Sequence, residues 1–100
     1  MKIKTIDVQA KEWFDKVNGN PYFSEVITIN YGMANEKTID VPMQFGYGDH
    51  YRDIAFRILE KQGYVKPEND RIPHWQYYRD NKIIVRHSKH DNCLKRELTQ

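Results

Sequence analysis

Apolar and polar residues alternate through the opening of the chain. Ile6, Val8 and Ala10 take one set of positions and Asp7, Gln9 and Lys11 the other, the period of a half-buried strand. The spacing predicts a strand over Ile3–Ala10, interrupted where Trp13 and Phe14 break the alternation. Asn18-Gly19 tolerates positive φ at both positions and marks a hairpin turn, closed by Pro21. Tyr22–Tyr31 reads as the return strand, with Phe23, Ile27, Ile29 and Tyr31 on one face and Ser24, Thr28 and Asn30 on the other. Thr38–Phe45 is the third strand, with Ile39, Val41, Met43 and Phe45 facing in and Thr38, Asp40 and Gln44 facing out. Pro42 has no amide to donate, which predicts an open edge or a bulge there.

The period then changes. Tyr51, Ile54, Ala55, Ile58 and Leu59 form one apolar stripe of a helix over Asp49–Gln62, with Ile58 at its centre. Arg52, Asp53, Glu60 and Lys61 keep the opposite side wet. Asp49 suits the N-cap and Gly63 the left-handed residue that ends the helix. Pro73 opens a short helix through Tyr78 or Arg79, in which Ile72, Trp75 and Tyr78 turn inward and Tyr77 and Arg79 outward. Lys82–Arg86 has the β-branched density of a fourth strand. These elements predict an α+β fold: an antiparallel sheet of three to four strands with one main helix packed on one face. Residues 1–100 read as a single domain, with 88–100 as a flexible tail.

Composition narrows the partners without choosing one. Sixteen basic residues stand against 14 acidic, so the formal charge is +2 and no global electrostatic field dominates. Seven Tyr, four Phe and two Trp supply ring area for a core or a contact surface. Cys93 is the single cysteine, which suits a reducing compartment. With neither a leader-like N-terminus nor a membrane-spanning apolar run, the expected location is the cytoplasm.

Each patch of chemistry has a plainer reading beside it. Gly46-Tyr47-Gly48 precedes a helix, where free amides attract anions, but Asp49 occupies the cap and would compete. A tight strand-to-helix turn is the better account. His87, His90 and Cys93 are spaced in threes, which on a strand sends neighbours to opposite faces, so no metal is assigned. His87-Ser88-Lys89 begins a phosphodiesterase-like motif, but Leu94 stands where its Asp belongs. No acid–base pair is evident, and Cys93 lies in the polar tail, so no catalytic residue and no cofactor are assigned and the protein is read as non-enzymatic. The richest remaining segment interleaves cations with rings between Arg71 and Arg79. Its candidate binding surface comprises Trp75, Tyr77, Arg79, Arg86 and Lys89, suited to single-stranded DNA or RNA. The competing account buries Trp75 in the core.

Three segments resemble a known group. Ala10-Lys11-Glu12-Trp13-Phe14-Asp15-Lys16, Gly19-Asn20-Pro21-Tyr22-Phe23-Ser24 and Phe45-Gly46-Tyr47-Gly48-Asp49-His50-Tyr51 are similar to segments of small uncharacterised bacteriophage proteins. Those carry Trp-Phe-x-Lys, Gly-Asn-x-Tyr-x-Ser and Tyr-Gly-Tyr-Gly-x-x-Tyr in the same order, with Phe45 here in place of the usual Tyr. The resemblance covers about the first two thirds of the chain. It implies a phage or mobile-element accessory protein that binds a host macromolecule, most simply a host protein, in counter-defence or host takeover. It assigns no catalytic residue.

Overall fold

The computed structural model describes residues 2–99. Thr5–Asp15 (β1), Asn20–Ile29 (β2) and Lys37–Phe45 (β3) form an antiparallel meander. His50–Lys61 (α1) and His74–Asp80 (α2) follow, then Ile84–His90 (β4) and the single turn Lys95–Leu98 (α3). The protein is α+β, and the strand order is β3-β2-β1-β4.

The expected antiparallel sheet is corrected to a mixed one. β4 runs parallel to β1, from Thr5 opposite Ile84 to Lys11 opposite His90. After β3 the chain stands at one edge of the sheet. Both α1 and α2 are spent crossing one face to the far edge, and a parallel neighbour requires a crossover of that kind. The expectation of one main helix gives way to three helices among the described residues.

The core lies between the sheet and the crossover. Ile6, Val8, Ala10, Phe23, Ile27, Ile29 and Val41 meet Tyr51, Ala55, Phe56, Leu59, Val65 and Tyr78 there. The alternation of β1 does not stop at Trp13, because β2 pairs with β1 as far as Asp15 opposite Asn20. Ile54 and Ile58 flank the buried stripe of α1, and Phe56 is fully buried instead. Its ring packs against His74, Tyr77 and Tyr78 of α2. A second helix thus rotates the buried face of the first. Gly63 ends α1 at φ +82, with the Tyr64 amide bonded to the Leu59 carbonyl at 2.8 Å. Asp49 precedes α1 but caps no amide, and its carboxylate lies 3.7 Å from Arg52 Nε.

Two irregularities reassign side chains. Asn30, with φ +54, ends the alternation of β2. Its side chain turns inward, where Oδ1 accepts the Lys4 and Thr5 amides at 2.7 and 3.2 Å and Nδ2 donates to the Lys2 carbonyl at 3.0 Å. Tyr31, expected inside, is therefore exposed. On β3, Phe23 stands opposite Gln44 and Glu25 opposite Val41, so Ser24 faces both Pro42 and Met43. This is the bulge that Pro42 predicts. The extra residue inverts the facing beyond it, and Phe45 emerges on the open face.

Candidate binding face on the open side of the sheet

The structure disperses the five residues picked from sequence. Trp75 is 57% exposed on the outer side of α2, with the Arg79 guanidinium 5.4 Å from its ring centre. The buried arc of α2 is His74, Tyr77 and Tyr78, at i, i+3 and i+4, so Trp75 is not the core residue that the competing account made it. Tyr77 is half-buried, packs on Phe56, and its hydroxyl accepts the Lys66 amide at 3.1 Å. Arg86 projects from the open face, where Nε and Nη2 donate to Asp7 at 2.6 and 2.9 Å. Lys89 stands opposite Ala10 on the covered face, and its ammonium is held by Glu12 at 3.3 Å, Asp91 at 3.5 Å and the Gly48 carbonyl at 3.2 Å. Ala10 is small enough to leave room for that long stem. Only Trp75 and Arg79 touch.

A different set of rings is brought together. Trp13 stands directly opposite Tyr22, and Tyr22 opposite Phe45. The Trp13 and Tyr22 rings lie 5.6 Å apart at 26°, close to stacked. Phe45 meets Tyr22 edge-on at 6.2 Å, and Tyr47 meets Phe45 edge-on at 5.4 Å. At the other end the Lys95 ammonium sits 5.5 Å from the Trp13 ring centre, within cation–π range. Phe45 and Tyr47 stay 49% and 62% exposed. The row crosses β1, β2 and β3 and continues into the turn before α1.

Beside the row, α3 leans on the same face. The Cys93 amide bonds the Glu12 carbonyl at 2.9 Å, bringing the chain round the end of β1, and Leu98 is buried. Between α3 and the strands runs a groove of about 660 Å³, floored by Gln9, Lys11, Ser24 and Val26 and walled by Pro42, Met43 and Leu98. The groove and the ring row make one continuous face, aromatic at one end and polar at the other, where Lys11, Asp40 and Glu97 join the lining. Sequence reasoning passed over it because Trp13 looked like a strand break and Phe45 like a core residue. The usable signal was the bulge at Pro42; the hairpin register was not one, because the loop spans residues 16–19 rather than the Asn18-Gly19 pair alone.

The covered face holds the most perturbed ionisable groups. Glu25 is 2% exposed and both carboxylate oxygens lack a protein partner. Burial pushes its pKa up to about 8. Tyr78 is 4% exposed with an unpartnered hydroxyl, and burial together with the nearby Glu25 charge raises its pKa. Burial lowers the pKa of His74. His87 is pushed down to about 4, chiefly by burial and further by the Arg52 and His74 charges. His74, Tyr78 and His87 lie on the covered side, whereas Glu25, on the same side, also belongs to the lining of the open groove.

The other sequence candidates fall out separately. A Cβ on Gly46 would come within 2.5 Å of the Phe23 ring, so this glycine is needed for close packing of the turn. His87 points to the covered face and His90 is exposed, while the Cys93 thiol donates to the His90 carbonyl at 3.3 Å. Among the described residues no group of three or more His, Cys, Asp or Glu is arranged to hold a metal ion. No helix among the described residues is long and apolar enough to cross a membrane. Compared with protein-family models, curated proteins and solved structures, the chain matches none.

Proposed function

We propose that this chain is a non-catalytic binding protein and that the open face of its sheet is the contact surface. The observation that carries this reading is the Trp13–Tyr22–Phe45–Tyr47 row, which places large rings in mutual contact and leaves Phe45 and Tyr47 exposed. Rings held rigidly by cross-strand neighbours present contact area at little entropic cost. A small domain that turned these residues outward without use would bear an aggregation liability.

The resemblance to small bacteriophage proteins supports the setting: a phage or mobile-element accessory protein acting in the host cytoplasm on a host macromolecule. Two of the three resembling segments supply Trp13 and Tyr22, and the third supplies Phe45 and Tyr47. The test is affinity capture from bacterial lysate with the wild-type chain and with Phe45→Ser/Tyr47→Ser. Both positions are exposed, so the double variant should fold with an unchanged melting temperature. Loss of the captured macromolecule supports the reading. An identical captured set from both proteins would move the contact surface elsewhere.

A further inference from the structure

The geometry points to single-stranded nucleic acid as the occupant of the open face, with bases stacking on Phe45 and Tyr47 and phosphates drawn to the amines around Trp13. This inference rests on the open face being the contact surface. Its own support is an excess of exposed cations over carboxylates near Trp13, beside the exposed rings.

Some carboxylates on this side of the molecule are ion-paired, and others bond only amides. Asp15 accepts the Val17 and Asn18 amides and the Asn18 side chain, at 3.0, 3.3 and 2.8 Å. Glu97 accepts the Leu94 amide at 2.9 Å, and Asp7 is bonded by Arg86. Glu12 pairs with Lys89. Asp40, in the groove wall, has no such partner. Lys11, Lys16, Lys95 and Arg96 are exposed, and none lies within ion-pair distance of a carboxylate among the described residues. Asp15 and Glu97 bond only neutral amide groups and keep their charge, so around Trp13 the four exposed cations stand against two carboxylates, with Asp40 a third in the groove lining.

Rings and unpaired amines together suit a polyanion that also has flat faces to stack, and every unpaired base has one. Gln9 and Ser24 in the groove floor can bond base edges, while Asp40 and Glu97 in its lining keep phosphates toward the Trp13 end. A duplex hides its base faces and would leave the rings unused. An acidic peptide would satisfy the amines but not the row.

The test uses the whole chain with fluorescently labelled oligothymidylate, oligouridylate and a duplex, read by anisotropy across a salt series. Single strands should bind in preference to duplex, with log K falling by about 0.7 per phosphate engaged against log salt. Tyr47→Ser should weaken binding by about 5- to 150-fold, the range for one stacking ring. Lys11→Gln/Lys95→Gln should flatten the salt slope, and Trp75→Ala should leave binding unchanged. All three variants should keep the wild-type melting temperature. If single strands do not bind while Phe45→Ser/Tyr47→Ser still abolishes lysate capture, the partner is a protein: this inference fails and the contact surface stands. If neither binding nor capture responds to the open-face variants, both fall. Equal loss on Trp75→Ala would transfer the site to α2 and overturn the assignment.

Discussion

Glu25 and Tyr78 are buried together in the seam between the sheet and the crossover helices, and neither finds a polar partner in the protein. The carboxyl stands on β2 in line with Phe23 and Ile27, on the face that the alternation makes apolar. A carboxylate there, with no cation or amide to meet it, is held as the neutral acid. The native state therefore keeps a proton that the unfolded chain gives up above its ordinary value of 4.5, until pH reaches about 8. Stability should decline with rising pH across that window, by on the order of 4 kcal/mol in total.

His87 works in the opposite sense. Its native pKa of about 4 lies below the ordinary 6.5, so protonation favours the unfolded chain and stability is lost as pH falls through that range. Between about 4.5 and 6.5 the two groups oppose each other, and above it Glu25 acts alone. Urea melts should show a plateau near pH 5–6 and a fall from about pH 6.5 to 8. Glu25→Gln should flatten the fall and be the more stable protein at pH 8. A wild-type profile level from pH 6 to 8 would mean that the carboxyl is partnered.

Tyr78→Phe should be neutral or stabilising. The hydroxyl is buried without an acceptor, so its removal deletes an unmet desolvation cost and leaves the ring contact with Phe56 in place. A loss above about 1 kcal/mol in a denaturant melt would show that the hydroxyl makes a bond worth keeping.

Asn30 should be among the most sensitive polar positions. Asn30→Ala leaves the Lys4 and Thr5 amides without their acceptor and puts at φ +54 a residue that tolerates the left-handed region less well than Asn. The expected loss is on the order of 3 kcal/mol. Asn30→Gly relieves the backbone but not the amides, so it should recover about 1 kcal/mol of that loss. Chemical denaturation of the two variants side by side separates the terms.

In the core, Phe56→Ala should cost about 3–5 kcal/mol, and Ile58→Ala, at a half-buried position, below about 2 kcal/mol. Trp75→Ala should lie within about 0.5 kcal/mol of wild type, since its ring stands in solvent under Arg79. The reverse ranking of Phe56 and Ile58 would place the α1 face against the sheet alone.

Local pattern was legible wherever one covered side set the period. Ile6, Val8 and Ala10 declare their face because a strand buried on one side must alternate. Gly63 marks the end of α1 because a left-handed residue there is cheap only without a Cβ. The turn before β2 at Gly19 (φ +70) and the bulge at Pro42 follow likewise from which residues tolerate positive φ and which lack an amide, although the loop runs over residues 16–19 and Asn18 does not share that φ. All of these depend on neighbours within a few positions.

Partners distant in sequence were decided by the tertiary structure alone. Which edge β4 joins, and in which direction, depends on where the crossover delivers it, and no residue of Ile84–His90 encodes that. The rotation of α1 toward Phe56 depends on α2 lying beside it. The candidate site shows the same division. Trp75, Tyr77 and Arg79 are neighbours in sequence, yet one helix turn sends Tyr77 toward the core and the other two to solvent. Trp13, Tyr22, Phe45 and Tyr47 are scattered along the chain and become a row because strand pairing sets the first three side by side and one extra residue in β3 turns Phe45 outward. Alternation along a strand assigns a side chain to a face, but its neighbour across the strand is set by register, which arises only when the strands pair.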